Sequence, residues 1–200
     1  MRNATVLQVT RLSELFAGET AARGRAVPGW NRFHSAAAFC MCDPAGVSVQ
    51  LLNRLRRRMM ETTKGLGYRL ASYVSSKAFV WRNVTIGENA FILEHNVLQP
   101  FVTIGDGVTL WSGNHIGHRT VIEDDVFVSS HVVASGFCRI GARSFLGVNA
   151  ALAPHVSVGA DCFIGMGAAV TASTEPDGIY QGNPAERRSL SAKRFCRVRE

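Results

Sequence analysis

The 200-residue sequence is short of the features that mark a secreted, metal-stapled or membrane protein. Its five cysteines are an odd number, and no pair has the spacing of a structural metal site. Cys40 and Cys42 form a C-x-C inside an apolar run, too close for an ordinary zinc pair. Reduced thiols in a cytoplasmic setting are the reading this supports. Met1 to Phe16 lacks a long apolar core and carries Arg2, Arg11 and Glu14, so it reads as neither a signal peptide nor a membrane span. No G-x-G-x-x-G follows a candidate strand, and the phosphate-cradling turn of a dinucleotide fold is therefore missing. Acids are scarce beside bases, 15 against 22, for a formal charge of +7. Yet residues 74–171 hold seven acids and five bases. The basic excess lies outside that stretch, in Arg54–Arg58 and in the tail from Arg187 to Arg199. Without interleaved aromatics or a recognised module, these clusters suit a phosphorylated small ligand or water better than a nucleic acid.

What the sequence does have is a period of six. From Val74 through Ile92, Ile104, Ile116, Ile122, Ile140 and Ile164 to Val170, every sixth residue is aliphatic and the phase never slips. Two residues earlier the side chain is small or slim, as at Ala90, Asn96, Asn114, Cys138, Ser144 and Cys162. One residue later Gly recurs, at 87, 105, 117, 141, 147, 159 and 165. Neither a helical repeat nor simple strand alternation gives this pattern, and a short fixed repeat marks a solenoid. A short strand alternates its faces, so the small residue and the aliphatic both point inward. The remaining residues turn a corner, where Gly suits a tight bend. Stacked rungs then bury a column of aliphatics beside a column of small residues. A sandwich would instead show turn signals at less regular intervals of about 8–12 residues.

The pattern resembles the hexapeptide-repeat family, over roughly residues 70–190. That resemblance implies a mainly β fold, a left-handed parallel β-helix with three short strands per coil. The chain then divides into an abbreviated α/β N-terminal segment (1–70), the β-helix (71–172) and a C-terminal loop and helix (173–200). In the first part, residues 36–42 read as a buried strand. Leu52, Leu55, Met59 and Met60 form a helical stripe within Ser48–Lys64, stopped by Gly65. In the last part, Pro184 can open a helix whose Leu190, Phe195 and Val198 dock on the solenoid.

Gly113-Asn114-His115-Ile116-Gly117-His118 is the sharpest local motif. Phase turns Asn114 inward, with His115 and His118 outward. N-H-I-G-H resembles the amino-sugar acetyltransferases of the sialic-acid and bacillosamine type, and H-I-x-H resembles the acyltransferase that begins lipid A synthesis. In both, the second histidine is the catalytic base, which falls on His118. One coil further on, the resemblance puts the oxyanion donor at Gly136. Asn114, His115 and His131 are then candidates for substrate binding. Val148 and Met166 would border the coenzyme's pantetheine arm. Asn183, Pro184, Arg187 and Arg188, in a G-x-P-A loop followed by bases, would lie beside coenzyme A and its phosphates, with Lys193 and Arg194 as further candidates. The chain departs from the family at three places. Arg119 follows the base where an acid is expected, so Glu94 or one of Glu123–Asp125 would have to orient the ring. Phe127 and Phe137 stand where the family has histidines.

These residues imply an acyltransferase that uses acetyl-CoA to N-acetylate a nucleotide-linked deoxy amino sugar. Its active sites would lie between the subunits of a homotrimer, without metal, nucleic acid or membrane span. Sugar O-acetylation is the alternative. A γ-type carbonic anhydrase would need histidines where Glu123 and Arg82 stand, and a non-catalytic assembly solenoid would need His118 to be idle.

Overall fold

The computed structural model describes the backbone of residues 6–9 and, in full, residues 53–65 and 70–198. From Phe79 to Val170 the chain winds as a three-sided prism of two-residue strands, each pairing in parallel with the strand eighteen positions away. The first face has nine strands, the second six and the third five. Ile104, Ile122 and Ile140 lie in register on the third face, one above another. The expected period of six therefore gives one face per repeat and one coil per three repeats.

The interior is narrow and largely aliphatic. Ile92, Leu98, Leu110, Ile116, Ile122, Ile140, Leu146 and Ile164 are fully buried. Beside them, inward polar side chains tie coil to coil. The Asn114 amide donates to Trp111 O at 2.5 Å and accepts from Val132 N at 2.7 Å. Ser144 donates to Gly159 O at 2.9 Å and accepts from Cys162 N at 3.1 Å. Each carbonyl or amide so engaged would otherwise be an unpaired polar group in an apolar channel.

The corners turn differently from the expectation. The left-handed residue is the third after the aliphatic, not the glycine directly after it: Phe101, Arg119, His131, Phe137, Arg143, His155 and Asp161 all have φ near +60°. The glycines that follow the aliphatic are required by the next coil. A Cβ on Gly141 would lie 2.5 Å from Ala160 N. Ordinary L-residues thus carry the disfavoured backbone at the corners, and coil stacking holds them there.

Three elements dress the prism. Val6–Val9 pairs in parallel with Ser72–Ser75 and extends the first face, a strand that no sequence period announces. Helix α1, Arg54–Gly65, lies along the edge between the third and first faces. Its Met60 is buried, and Met60 Sδ would be 2.9 Å from a Cβ on Gly107. Two arginines of this helix, expected to face a phosphorylated ligand or water, instead pair with the solenoid's own acids and a third with a backbone carbonyl, while Arg58 is exposed. Arg57 Nε meets Asp125 at 2.7 Å, Arg54 Nη1 meets Asp161 at 2.8 Å, and Arg56 donates to Gly107 O at 2.5 Å. The strand expected at 36–42 lies outside the described residues, as does the helical stretch 48–52.

At the far end Ile179–Gln181 continues the first face, and Glu186–Arg187 folds back on it in antiparallel. Pro184 follows a cis peptide inside this tight hairpin and does not open a helix. Helix α2 is shorter than expected, Ala192–Phe195, and begins at the Ser191 cap. It docks through buried Ala192 and Cys196 against Phe145, Phe163 and Ile179, while Leu190 stays exposed.

Candidate active site

The prism has three edges. The first, leading from first face to second, contains residues 93–96, 111–114, 129–132, 147–150 and 165–168. The second, leading on to the third face, contains 81–84, 99–102, 117–120, 135–138 and 153–156. The third carries 87–90, 105–108, 123–126, 141–144 and 159–162.

His118 stands on the second edge with its imidazole exposed. Ile116 beneath it is fully buried and fixes the direction in which the corner projects. One coil further on comes Gly136, and the two touch: a Cβ there would lie 2.5 Å from His118 Cε1 and 2.7 Å from Nε2. Only a residue without a side chain lets the imidazole lie over that bend. The Gly136 carbonyl accepts from His155 N, and its own N–H has no acceptor among the described residues. An imidazole nitrogen and an uncommitted backbone donor therefore share one exposed corner. That pairing suits abstraction of a proton beside stabilisation of a developing oxyanion. For Gly136→Ala we expect a loss of turnover of about tenfold or more with little change in thermal midpoint, because the atoms displaced belong to an exposed side chain. Steady-state kinetics beside a thermal melt will check this.

The acids expected to orient His118 are elsewhere. Glu94 is on the first edge, where it accepts from Ser112 Oγ at 2.7 Å. That hydrogen bond holds its carboxyl below the usual carboxylate range. Glu123 pairs with Arg139, and Asp124 and Asp125 pair with Arg57, all about the third edge. What touches the imidazole is aromatic. The Phe137 ring lies 5.0 Å away at 84°.

The other candidates separate into groups. His115 is exposed in the middle of the second face, in register with Val97 and Val133. Asn114, expected among the substrate ligands, is only 1 % exposed and both ends of its amide are committed, one to Trp111 in its own corner and one to Val132 in the next coil, so it supports the motif from inside. His131 is on the first edge, its ring packed over Gly113, and not beside His118. Val148 and Met166 are exposed on that same first edge. Above them the loop containing Asn183 and Pro184 is pinned to the last coil, with Ala169 N donating to Gly182 O at 3.0 Å and Ala185 N to Ala169 O at 2.9 Å. Arg187 and Arg188 follow, both exposed. One chain thus brings together the proposed base with its glycine, and separately the proposed coenzyme residues. The second face lies between the two sets.

Two family models match the repeats. "Bacterial transferase hexapeptide (six repeats)" covers residues 83–118 and "Hexapeptide repeat of succinyl-transferase" covers residues 138–172. The repeats of this chain are thus those of hexapeptide transferases. Among solved structures, the chain is similar to a histidine-to-alanine mutant of GDP-perosamine N-acetyl transferase from Caulobacter crescentus in complex with CoA and GDP-perosamine. Identity is 25 %, the match covers 68 % of this chain and 65 % of that one, and the TM-score is 0.68. The acetyltransferase domain of PglB from Neisseria gonorrhoeae, in complex with acetyl coenzyme A, matches at 27 % identity over 68 % and 66 % of the two chains, with a TM-score of 0.67. A curated relative, the acyl-[acyl-carrier-protein]–UDP-N-acetylglucosamine O-acyltransferase of Campylobacter concisus, is 28 % identical over 125 residues, 59 % of this chain and 48 % of that protein. The chain spans about half the length of the curated relatives it matches. No described helix is long and apolar enough to cross a membrane.

Proposed function

We propose that this chain transfers an acetyl group from acetyl-CoA to an amino group of a nucleotide-linked deoxy amino sugar. The observation that carries this reading is the exposed His118 imidazole seated over Gly136, whose N–H has no acceptor among the described residues. His118 takes the proton of the acceptor amine as its nitrogen attacks the thioester carbonyl. Gly136 N–H donates to the carbonyl oxygen as that oxygen gains negative charge. When the tetrahedral centre collapses the C–S bond breaks, and His118 returns its proton to the departing thiolate. The amide nitrogen has then gained the acetyl group and lost one proton.

Exposed Val148 and Met166, the loop at Asn183 and Pro184, and the cations Arg187 and Arg188 offer an apolar strip ending in positive charge. Such a strip suits a pantetheine arm with phosphates at its end. His115 and His131 are left to contact the acceptor. Two solved relatives hold CoA or acetyl coenzyme A, and one of them GDP-perosamine, which supports both donor and acceptor class. Because the base lies on one edge and the coenzyme residues on another, a site made by a single chain would be incomplete. Three copies around an axis would set the second edge of one against the first edge of the next, so the active assembly is a homotrimer.

Hydroxyl acylation is the second reading, favoured by the curated relatives named as O-acyltransferases. Thiol release from acetyl-CoA with nucleotide-linked 4-amino-4,6-dideoxyhexoses, beside the matching hydroxyl sugars, separates the two. Release with the amines alone is expected, and release with hydroxyl sugars alone would move the assignment to O-acetylation. Silence with both would sink the acyltransferase reading.

A further inference from the structure

The second edge carries a column of flat side chains with no part yet in the reaction. Phe101, Arg119, Phe137 and His155 stand one coil apart, each with φ near +60°. Arg119 Cζ lies 4.9 Å from the Phe101 ring centre and 6.0 Å from that of Phe137. On its other side Phe137 stacks on His155 at 4.9 Å with 9° between the planes. Phe137 is therefore flanked by Arg119 from the coil before and His155 from the coil after, and cannot swing along the column. Its ring is the one that meets the His118 imidazole, at 5.0 Å and 84°, where the imidazole also lies against Gly136.

We propose that Phe137 is a positioning residue for His118, fixing the imidazole over Gly136 by ring packing, with His155 as its backstop. The proposal rests on the reading of His118 as the base. An imidazole at an exposed corner samples several rotamers unless a neighbour selects one, and each reaction cycle would then wait on the productive one. Among the described residues no carboxylate reaches the ring to do this. A perpendicular aromatic pair biases such an equilibrium by about 2–10-fold. That Phe137 is 46 % exposed and still held between two neighbours fits a role at the site better than one in the core.

Phe137→Leu removes the ring and keeps an apolar residue on the same backbone, whereas Phe137→Tyr keeps the ring. We expect Phe137→Leu to lower kcat about 3–10-fold, with KM for acetyl-CoA and the thermal midpoint unchanged, and Phe137→Tyr to restore kcat. The accompanying readout is the side-chain order parameter of the isotope-labelled His118 ring, high in the wild type and the Tyr variant and reduced in the Leu variant. A His118 ring as ordered in Phe137→Leu as in the wild type overturns the proposal. So does a Tyr variant as impaired as the Leu one. Should the wild type release no thiol with any amino sugar, the functional reading fails on that result alone, while the order parameters still decide whether Phe137 holds the ring.

Discussion

Replacing His118 by alanine is expected to lower kcat for acetyl transfer about 10²–10⁴-fold, the range that a positioned general base supplies. The size of the effect follows from what is left behind. Gly136 N–H remains to polarise the carbonyl, so turnover falls without vanishing. Because the imidazole is exposed and makes no hydrogen bond or ion pair among the described residues, the melting curve should barely move. KM for acetyl-CoA should also hold, since the residues assigned to the coenzyme stand on a different edge. Rates from thiol release and a thermal melt on the same preparation will test this. A variant that keeps more than half its kcat would show that the imidazole is not the base.

The second large effect is structural. Asp161 is 9 % exposed at its side chain and is gripped by two guanidiniums. Arg143 holds it through Nε at 2.8 Å and Nη2 at 2.9 Å, and Arg54 Nη1 of helix α1 approaches to 2.8 Å. Asp161→Asn keeps the shape, and asparagine tolerates the left-handed backbone at this corner. The substitution should therefore isolate the charge, destabilising the fold by about 2–3 kcal/mol in urea titrations near neutral pH. Burial alone would raise the Asp161 carboxyl, but the hydrogen bonds from Arg143 and Arg54 outweigh it and leave it below the ordinary range. A depressed carboxyl contributes fully above its unfolded value, about 3.9, and loses that contribution as pH falls through the lower folded value. The gap between wild type and Asp161→Asn should therefore be wide at pH 7 and begin to close as pH falls below about 4. A gap that persists in acid would place the effect in packing and not in the ion pairs.

These residues also show where sequence reading succeeds and where it stops. The period of six was readable by counting, and the three strands per coil implied by the resemblance then put Gly136 one coil beyond His118. The same count could have lined up Phe101, Arg119, Phe137 and His155, yet a search by single residue type passes over a column of mixed chemistry. The arginines of α1 could not be matched to their acids by any count. Arg57 and Asp125 are 68 positions apart, and the helix obeys a different period from the solenoid. Glycine after seven of the aliphatics was visible, but its reason was not. Spacing reports that a side chain is excluded, and only the neighbouring coil shows what excludes it. Val6–Val9 pairs with the solenoid without sharing its repeat, so nothing in four residues announced it.

The hairpin pinned to Ala169 has a consequence for the molecule's size. Every rung of such a ladder offers its backbone to the next, and nothing in the repeat itself says how many rungs there should be. At the C-terminal end the Ala169 amide and carbonyl, which would greet another rung, are claimed by Gly182 and Ala185. The chain then reverses into a strand of opposite direction that cannot be extended in the same sense. A polymer-like architecture thus acquires a terminus, and with it a reason to remain a discrete particle and not a fibre.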